Sequence, residues 1–149
     1  MENISITKAD SSHLEQIEAI EKTLEHRNLS YDSIKKDLER DNAYYLVAID
    51  NTTNIVVGYI GCELLVDHAD IVSIATDKNH LKQGIASSLL NTLEKELKEK
   101  KIESIFLEVR TSNLPAINLY TKLNYNKIST RTKYYDNLED ANIMKKDLI

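Results

Sequence analysis

Between residues 69 and 97 the apolar residues of this chain change their spacing. ADIVSIAT at 69–76 alternates in steps of two, as a strand with one buried face does. Beyond the polar DKNHLKQ, Ile85, Leu89, Leu93 and Leu97 recur every four residues, with Leu90 beside them. That period, over a back face of Glu and Lys, predicts an amphipathic helix over about Gln83–Lys100. A strand that feeds directly into a long one-faced helix commits the chain to layers, because the helix must lay its stripe on a sheet.

The remaining patterns extend the same architecture. NISITK at 3–8 alternates like a first strand; Asp10 offers an N-cap to a helix carrying Leu14, Ile17, Ile20 and Leu24 through about His26. Ser30 caps a second helix with Ile34 and Leu38. YYLVAI at 44–49 and IVVGYIGCELLV at 55–66, joined by DNTTN, predict a hairpin. ESIFLEVR at 103–110 reads as a strand, LPAINLYTKLN at 114–124 as a helix with Pro115 in its first turn, and Tyr125 to Leu148 as two strands around a loop at 133–140. The order β-α-α-β-β-β-α-β-α-β-β predicts an α/β fold, one mixed central sheet flanked by helices, in a single domain spanning 1–149.

Composition removes several function classes. Three Gly and one Pro in 149 residues are too few for collagen-like, linker-rich or β-sandwich chains. A net charge of −5 gives no positive field for duplex nucleic acid or an anionic membrane surface. Cys62 alone forms no disulfide framework and no multi-cysteine zinc site, and His13, His26, His68 and His80 are scattered, so no metal is expected. The opening MENISITKADSSHLE has neither a basic nor an apolar signal region, and the longest apolar run is far short of the roughly 20 residues that cross a bilayer. The expected compartment is cytoplasmic, with monomer and homodimer both open.

Two segments carry chemistry. Gly84 stands at the strand-to-helix junction, within KQGIAS at 82–87. Free amides and the positive dipole end of a helix N-terminus there suit a pyrophosphate, although any such junction favours a Gly and small residues. No Walker A loop or triple-glycine dinucleotide fingerprint is present. In LEVRTSN at 107–113, alternation puts Ile105, Leu107 and Val109 on one face and Phe106, Glu108 and Arg110 on the other. Apolar flanks in a central strand would raise the Glu108 pKa and suit it to general-base work; an ion-paired Glu, with Arg110 as partner, is the plainer alternative. Asn113 and Tyr120, seven apart, share a helix face, where one caps or binds a ligand and the other packs or points at a site.

Taken in order, IATDKNHLKQGIASSLL, LEVRTSN and AINLYTKLNY resemble the acetyl-CoA-binding core of the Gcn5-related N-acetyltransferases. RTKYYDNLEDANIMKKDL at 131–148 and VVGYI at 56–60 extend the likeness over nearly the whole chain, toward the bacterial ribosomal-protein-alanine N-acetyltransferases and the catalytic subunits of N-terminal acetyltransferases. The resemblance implies acetyl-CoA as co-substrate, with backbone groups of Ile74, Ala75 and Thr76 along the pantetheine arm on a splayed strand, one amide serving as oxyanion donor. It implies that Lys82, Gln83, Gly84, Ile85, Ala86 and Ser87 wrap the pyrophosphate and that Asn113 contacts CoA. Glu108 falls at the family's general base and Tyr120 at its general acid; Tyr31, Tyr134 and Tyr135 fall where peptide-groove aromatics stand, strand-edge packing being the alternative for the last two.

The chain departs from the family at Leu81, where Gln or Arg is usual, at Lys82, where Arg or Gly is usual, and at Lys78, where Pro is usual. The implied acceptor is the α-amine of a protein N-terminus, a ribosomal protein's alanine; a lysine, polyamine or other small amine, or a non-catalytic CoA-binding role, are the alternatives. Glu139 and Asp140 are placed to attract a cationic terminus, and EKELKEKK at 94–101 reads as a solvated face.

Overall fold

The computed structural model describes residues 3–24, 30–135 and 139–149; the expected end of the first helix at His26 and part of the loop at 133–140 lie outside them. Seven strands form one sheet: β1 (Ile4–Lys8), β2 (Ala43–Asp50), β3 (Ile55–Leu64), β4 (His68–Thr76), β5 (Ser104–Arg110), β6 (Asn126–Arg131) and β7 (Ala141–Asp147). Their order is β1-β2-β3-β4-β5-β7-β6, and every neighbouring pair is antiparallel except β4 and β5. The helices are α1 (Leu14–Glu21), α2 (Tyr31–Glu39), α3 (Ile85–Glu99) and α4 (Leu114–Lys122). The expected α/β order therefore holds among the described residues.

Local chemistry sets the helix ends. Asp10 caps a short 3-10 turn, Ser11–His13, rather than α1 itself, its side chain accepting from the Ser12 amide. Ser30 caps α2 as expected, accepting from the Ser33 amide. The third helix starts at Ile85, not Gln83, because Lys82 and Gly84 have φ of +63° and +79°, values that cannot continue a right-handed helix. Asn113 caps α4 through Oδ1 on the Ala116 amide at 3.2 Å, with Pro115 in the first turn, where no amide hydrogen is needed.

The sheet separates two cores. On one face Leu89, Leu90, Leu93 and Leu97 of α3 and Tyr120 of α4 pack against Leu46, Ile60, Ile105 and Leu107. On the other, Ile17 and Ile20 of α1 and Ile34 of α2 cover Tyr45, Val47 and Tyr59. Each fully buried leucine contributes about 1.5–3 kcal/mol of transfer free energy. Helix α3 lies so close to β3 that a Cβ at Gly58 would come within 2.9 Å of Ile85 Cγ2 and 3.2 Å of the Ala75 carbonyl. That glycine sets the depth to which α3 sinks onto the sheet.

One polar expectation is overturned. Within EKELKEKK, Glu94 is buried, accepting from the Tyr125 hydroxyl at 2.9 Å and from Lys146 Nζ at 2.6 Å. Burial and the adjacent Glu94 carboxylate push the Tyr125 phenol well above its ordinary range. Tyr44, Tyr45 and Tyr59 are likewise buried; Tyr44 reaches Glu96, and Tyr59 reaches Glu21 and Ser73.

Candidate active site

The β4–β5 ladder holds only three residue pairs, His68↔Ser104, Ala69↔Ile105 and Asp70↔Phe106, after which the two strands separate. On its other edge β4 stays paired with β3 through Thr76. A parallel pair needs continuous slanted hydrogen bonds to stay closed. Where they stop, a cleft opens at mid-sheet, and Ile74, Ala75 and Thr76 lie on its β4 side. A bulge between Gly61 and Cys62 adds to the local distortion of the sheet beside it.

The loop after β4 leads straight to the N-terminus of α3. His80 fixes its first half: Nδ1 lies 2.7 Å from Asp77 Oδ2, and Nε2 lies 3.8 Å from Asp50 Oδ2 at the end of β2. Lys82, Gln83 and Gly84 then turn the chain with two left-handed residues. A Cβ at Gly84 would meet nothing within 4 Å, so the helix end faces open space. Ile85, by contrast, is buried in the core, so its backbone alone can serve a ligand. Ala86 and Ser87 occupy the first turn of α3. These residues fit a pyrophosphate: an αL-capped helix terminus, an adjacent lysine and room outside it.

Glu108 stands beyond the point where β4 and β5 part. As expected, Ile105, Leu107 and Val109 are buried and Glu108 faces the other way, toward the α1/α2 side. The expected apolar burial is absent. The Glu108 side chain is 30% exposed and its Oε1 lies 3.3 Å from Arg131 Nη1. Arg110, the partner foreseen from the sequence, binds Glu139 instead at 3.4 Å. The reason is topological: Glu139, shortly before β7, lies beside the end of β5 and brings its carboxylate to Arg110.

That connection also places the tyrosine pair. Tyr134 and Tyr135 follow β6 in the loop rather than sitting on a strand, their rings 5.0 Å apart and edge to face. The Tyr134 hydroxyl donates to Glu108, and this bond, with partial burial, raises its pKa. Arg131 lies 5.1 Å over the Tyr134 ring and Arg110 lies 3.9 Å over the Tyr135 ring. Glu139 accepts from the Ser112 amide at 2.7 Å, and Asp140 from the Lys133 amide at 2.9 Å. Both acids, expected to attract a substrate terminus, are engaged in holding this loop.

Tyr120 approaches from the opposite face, 6% exposed in the α3/α4 core with its ring 5.9 Å from Tyr125. Asn113 sits at the head of the same helix; its cap uses Oδ1, leaving the side-chain amide nitrogen as a donor. Tyr31 opens α2, its backbone amide bound to Glu18 Oε2 at 2.7 Å and its ring packed against the α1/α2 core. The sequence reading missed Arg131 and Asp70. Asp70 pairs across the ladder with Phe106, feels both Glu108 and Glu63, and its pKa is raised, first by burial. Alternation gave the face of Glu108, but only the pairing of β4 with β5 brings Asp70 near it.

Cys62 is buried, and desolvation pushes its thiol up to about 12, which leaves it no nucleophilic role. Among the described residues no group of His, Cys, Asp and Glu can hold a metal ion, and no helix is long and apolar enough to cross a membrane.

Comparison with known proteins gives the same placement. Residues 11–125 match the model of the acetyltransferase (GNAT) family. An N-alpha-acetyltransferase of Saccharolobus solfataricus is 33% identical over 98% of this chain and 94% of its own length. A [ribosomal protein bS18]-alanine N-acetyltransferase of Escherichia coli is 39% identical over 55% of this chain and 57% of its own length. Among solved structures, the ribosomal-protein-S18-alanine N-acetyltransferase from Escherichia coli superposes with a TM-score of 0.90 at 26% identity, covering 97% of this chain and 94% of that one. With the sheet parted between β4 and β5, the glycine-capped α3 and this match over most of its length, the chain belongs to the acetyltransferase (GNAT) family.

Proposed function

We propose that residues 1–149 act as one domain that transfers an acetyl group from acetyl-CoA to the α-amine of a protein N-terminus. The observation that carries this reading is the open cleft between β4 and β5 meeting the open helix end at Gly84 on one side and Glu108 on the other. In it, Lys82 through Ser87 hold the pyrophosphate, Asn113 donates to CoA, and the Ile74–Thr76 backbone lies along the pantetheine arm. Bound acetyl-CoA supplies the reactive thioester. A backbone amide of β4 steadies the carbonyl oxygen as it gains charge.

Glu108 receives the ammonium proton of the acceptor through a water, so that the nitrogen lone pair is free to form the new N–C bond. As the C–S bond breaks, the electron pair leaves with sulfur. A thiol pKa of about 8.5 lets that thiolate depart with little help, and Tyr120 supplies its proton as the lesser contribution. The acceptor class follows from the same arithmetic. An α-amine with a pKa near 7.8 is roughly one-seventh neutral at pH 7, whereas a lysine amine is neutral in roughly one molecule in 2,500. An exposed, ion-paired Glu108 suits the easier of the two.

The Saccharolobus solfataricus relative is named for N-alpha-acetylation, and the Escherichia coli relative's name gives a ribosomal-protein alanine. That finer substrate is our reading for this chain as well, with Tyr31, Tyr134 and Tyr135 lining the groove for the peptide. Incubation with acetyl-CoA and a peptide library varied at its first two residues, with an internal-lysine control, tests it by mass shift. Acetylation at the α-amine, strongest after alanine, is the expected result; modification at internal lysines alone overturns it in favour of a lysine or small-amine acetyltransferase.

A further inference from the structure

The pair made by Glu108 and Arg131 has an unusual setting. Glu108 stands on β5, well inside the sheet, whereas Arg131 is the last residue of the edge strand β6 and is 53% exposed. The guanidinium is held beside β5 by the 3.3 Å contact to Glu108 and by Tyr134, whose ring it overlies and whose hydroxyl it also meets. Exposed ion pairs of this kind are weak, so the contact is easily broken. The face around Glu108 is otherwise built from Asp70 of β4, the hydroxyl of Tyr134, Tyr135, and Arg110 beside Glu139. Arg131 is thus the one cation in direct contact with Glu108 among the described ion pairs.

We propose that Arg131 is a positioning residue that stands in for the acceptor's ammonium in the free enzyme and swings off Glu108 when the substrate amine arrives. This rests on the assignment of Glu108 as the base. One cation replaces another, so the carboxylate is never left facing Asp70 without a counter-charge, and Tyr134 keeps it turned toward the cleft during the exchange. The arginine has somewhere to go, because its β6 backbone lies at the sheet edge, where all six residues of the strand are exposed.

The consequence separates substrate binding from turnover. In Arg131→Gln, the peptide KM falls about two- to fivefold, as expected for removing one exposed competing ion pair, and the KM for acetyl-CoA is unchanged. The kcat stays where it is, because in the complex Arg131 has already left Glu108. Arg131→Lys, which keeps the charge, restores the wild-type peptide KM. A lowered kcat shows an arginine that stays in place during turnover, and an unchanged peptide KM shows an idle surface pair; either result overturns the inference.

A second measurement needs no turnover. The Arg131 Nε–H resonance shifts when an alanine-led peptide is added and does not shift with the same peptide N-acetylated. A resonance that responds to both peptides or to neither overturns the exchange. Whether the wild type acetylates α-amines at all judges the parent reading separately.

Discussion

Glu108, the proposed base, stands in a partly exposed position, and its neighbours set what replacing it does. Glu108→Gln removes the proton acceptor, so turnover falls more at pH 6.5, where the amine is mostly protonated, than at pH 9, where it needs little help. A parallel loss at all pH values, read from pH–rate profiles, removes Glu108 from the base role. The same substitution removes the carboxylate that raises the Tyr134 pKa, so the Tyr134 phenol titrates at lower pH, visible as tyrosinate absorbance against a Tyr134→Phe control. At this scale the sequence showed which way Glu108 faces but not what faces it. Alternation is a local signal that fixes a side chain's direction; Arg131 reaches Glu108 from β6 across the intervening β7, a neighbourhood that only the strand order creates. Glu94 escaped for a related reason. It lies beside Leu90 and Leu97 at the margin of the α3 stripe, and the groups that make its burial tolerable, Tyr125 and Lys146, come from the tail.

Among the elements, α3 was the most legible and the turn before it the least. Four-residue spacing of Ile85, Leu89, Leu93 and Leu97 demands a helix, and each of these residues is at most 1% exposed. Leu93→Ala therefore costs about 2–5 kcal/mol, measurable by urea unfolding, with cavity formation adding to the lost transfer free energy. The turn's left-handed residues have no periodic signature, and Lys82 holds a conformation that a side chain strains to adopt. Gly84 has the same geometry without that strain. Gly84→Ala loses about 1 kcal/mol of stability from its φ alone. Its methyl group also enters the open space at the helix end, so the KM for acetyl-CoA rises more than that small loss would suggest. A variant with weakened folding and an unchanged acetyl-CoA KM would remove this turn from cofactor binding.

For the molecule as a whole, the three-pair seam between β4 and β5 has a mechanical side. Strands β1–β4 with α1 to α3 form one block, and β5–β7 with α4 form another, sewn together at one end of the sheet and held along the rest by the shared α3/α4 core. A cofactor that bonds to the β4 backbone, the α3 terminus and Asn113 touches both blocks at once. It would serve as the missing stitching. Acetyl-CoA at a hundredfold excess over its Kd is then expected to add about 2.7 kcal/mol to unfolding. Slowed amide exchange should concentrate along β4 beyond Asp70 and β5 beyond Phe106, the two free hems of the seam. Protection spread evenly over the chain would instead mean that the blocks already move as one, and that the gap in the sheet bears no load.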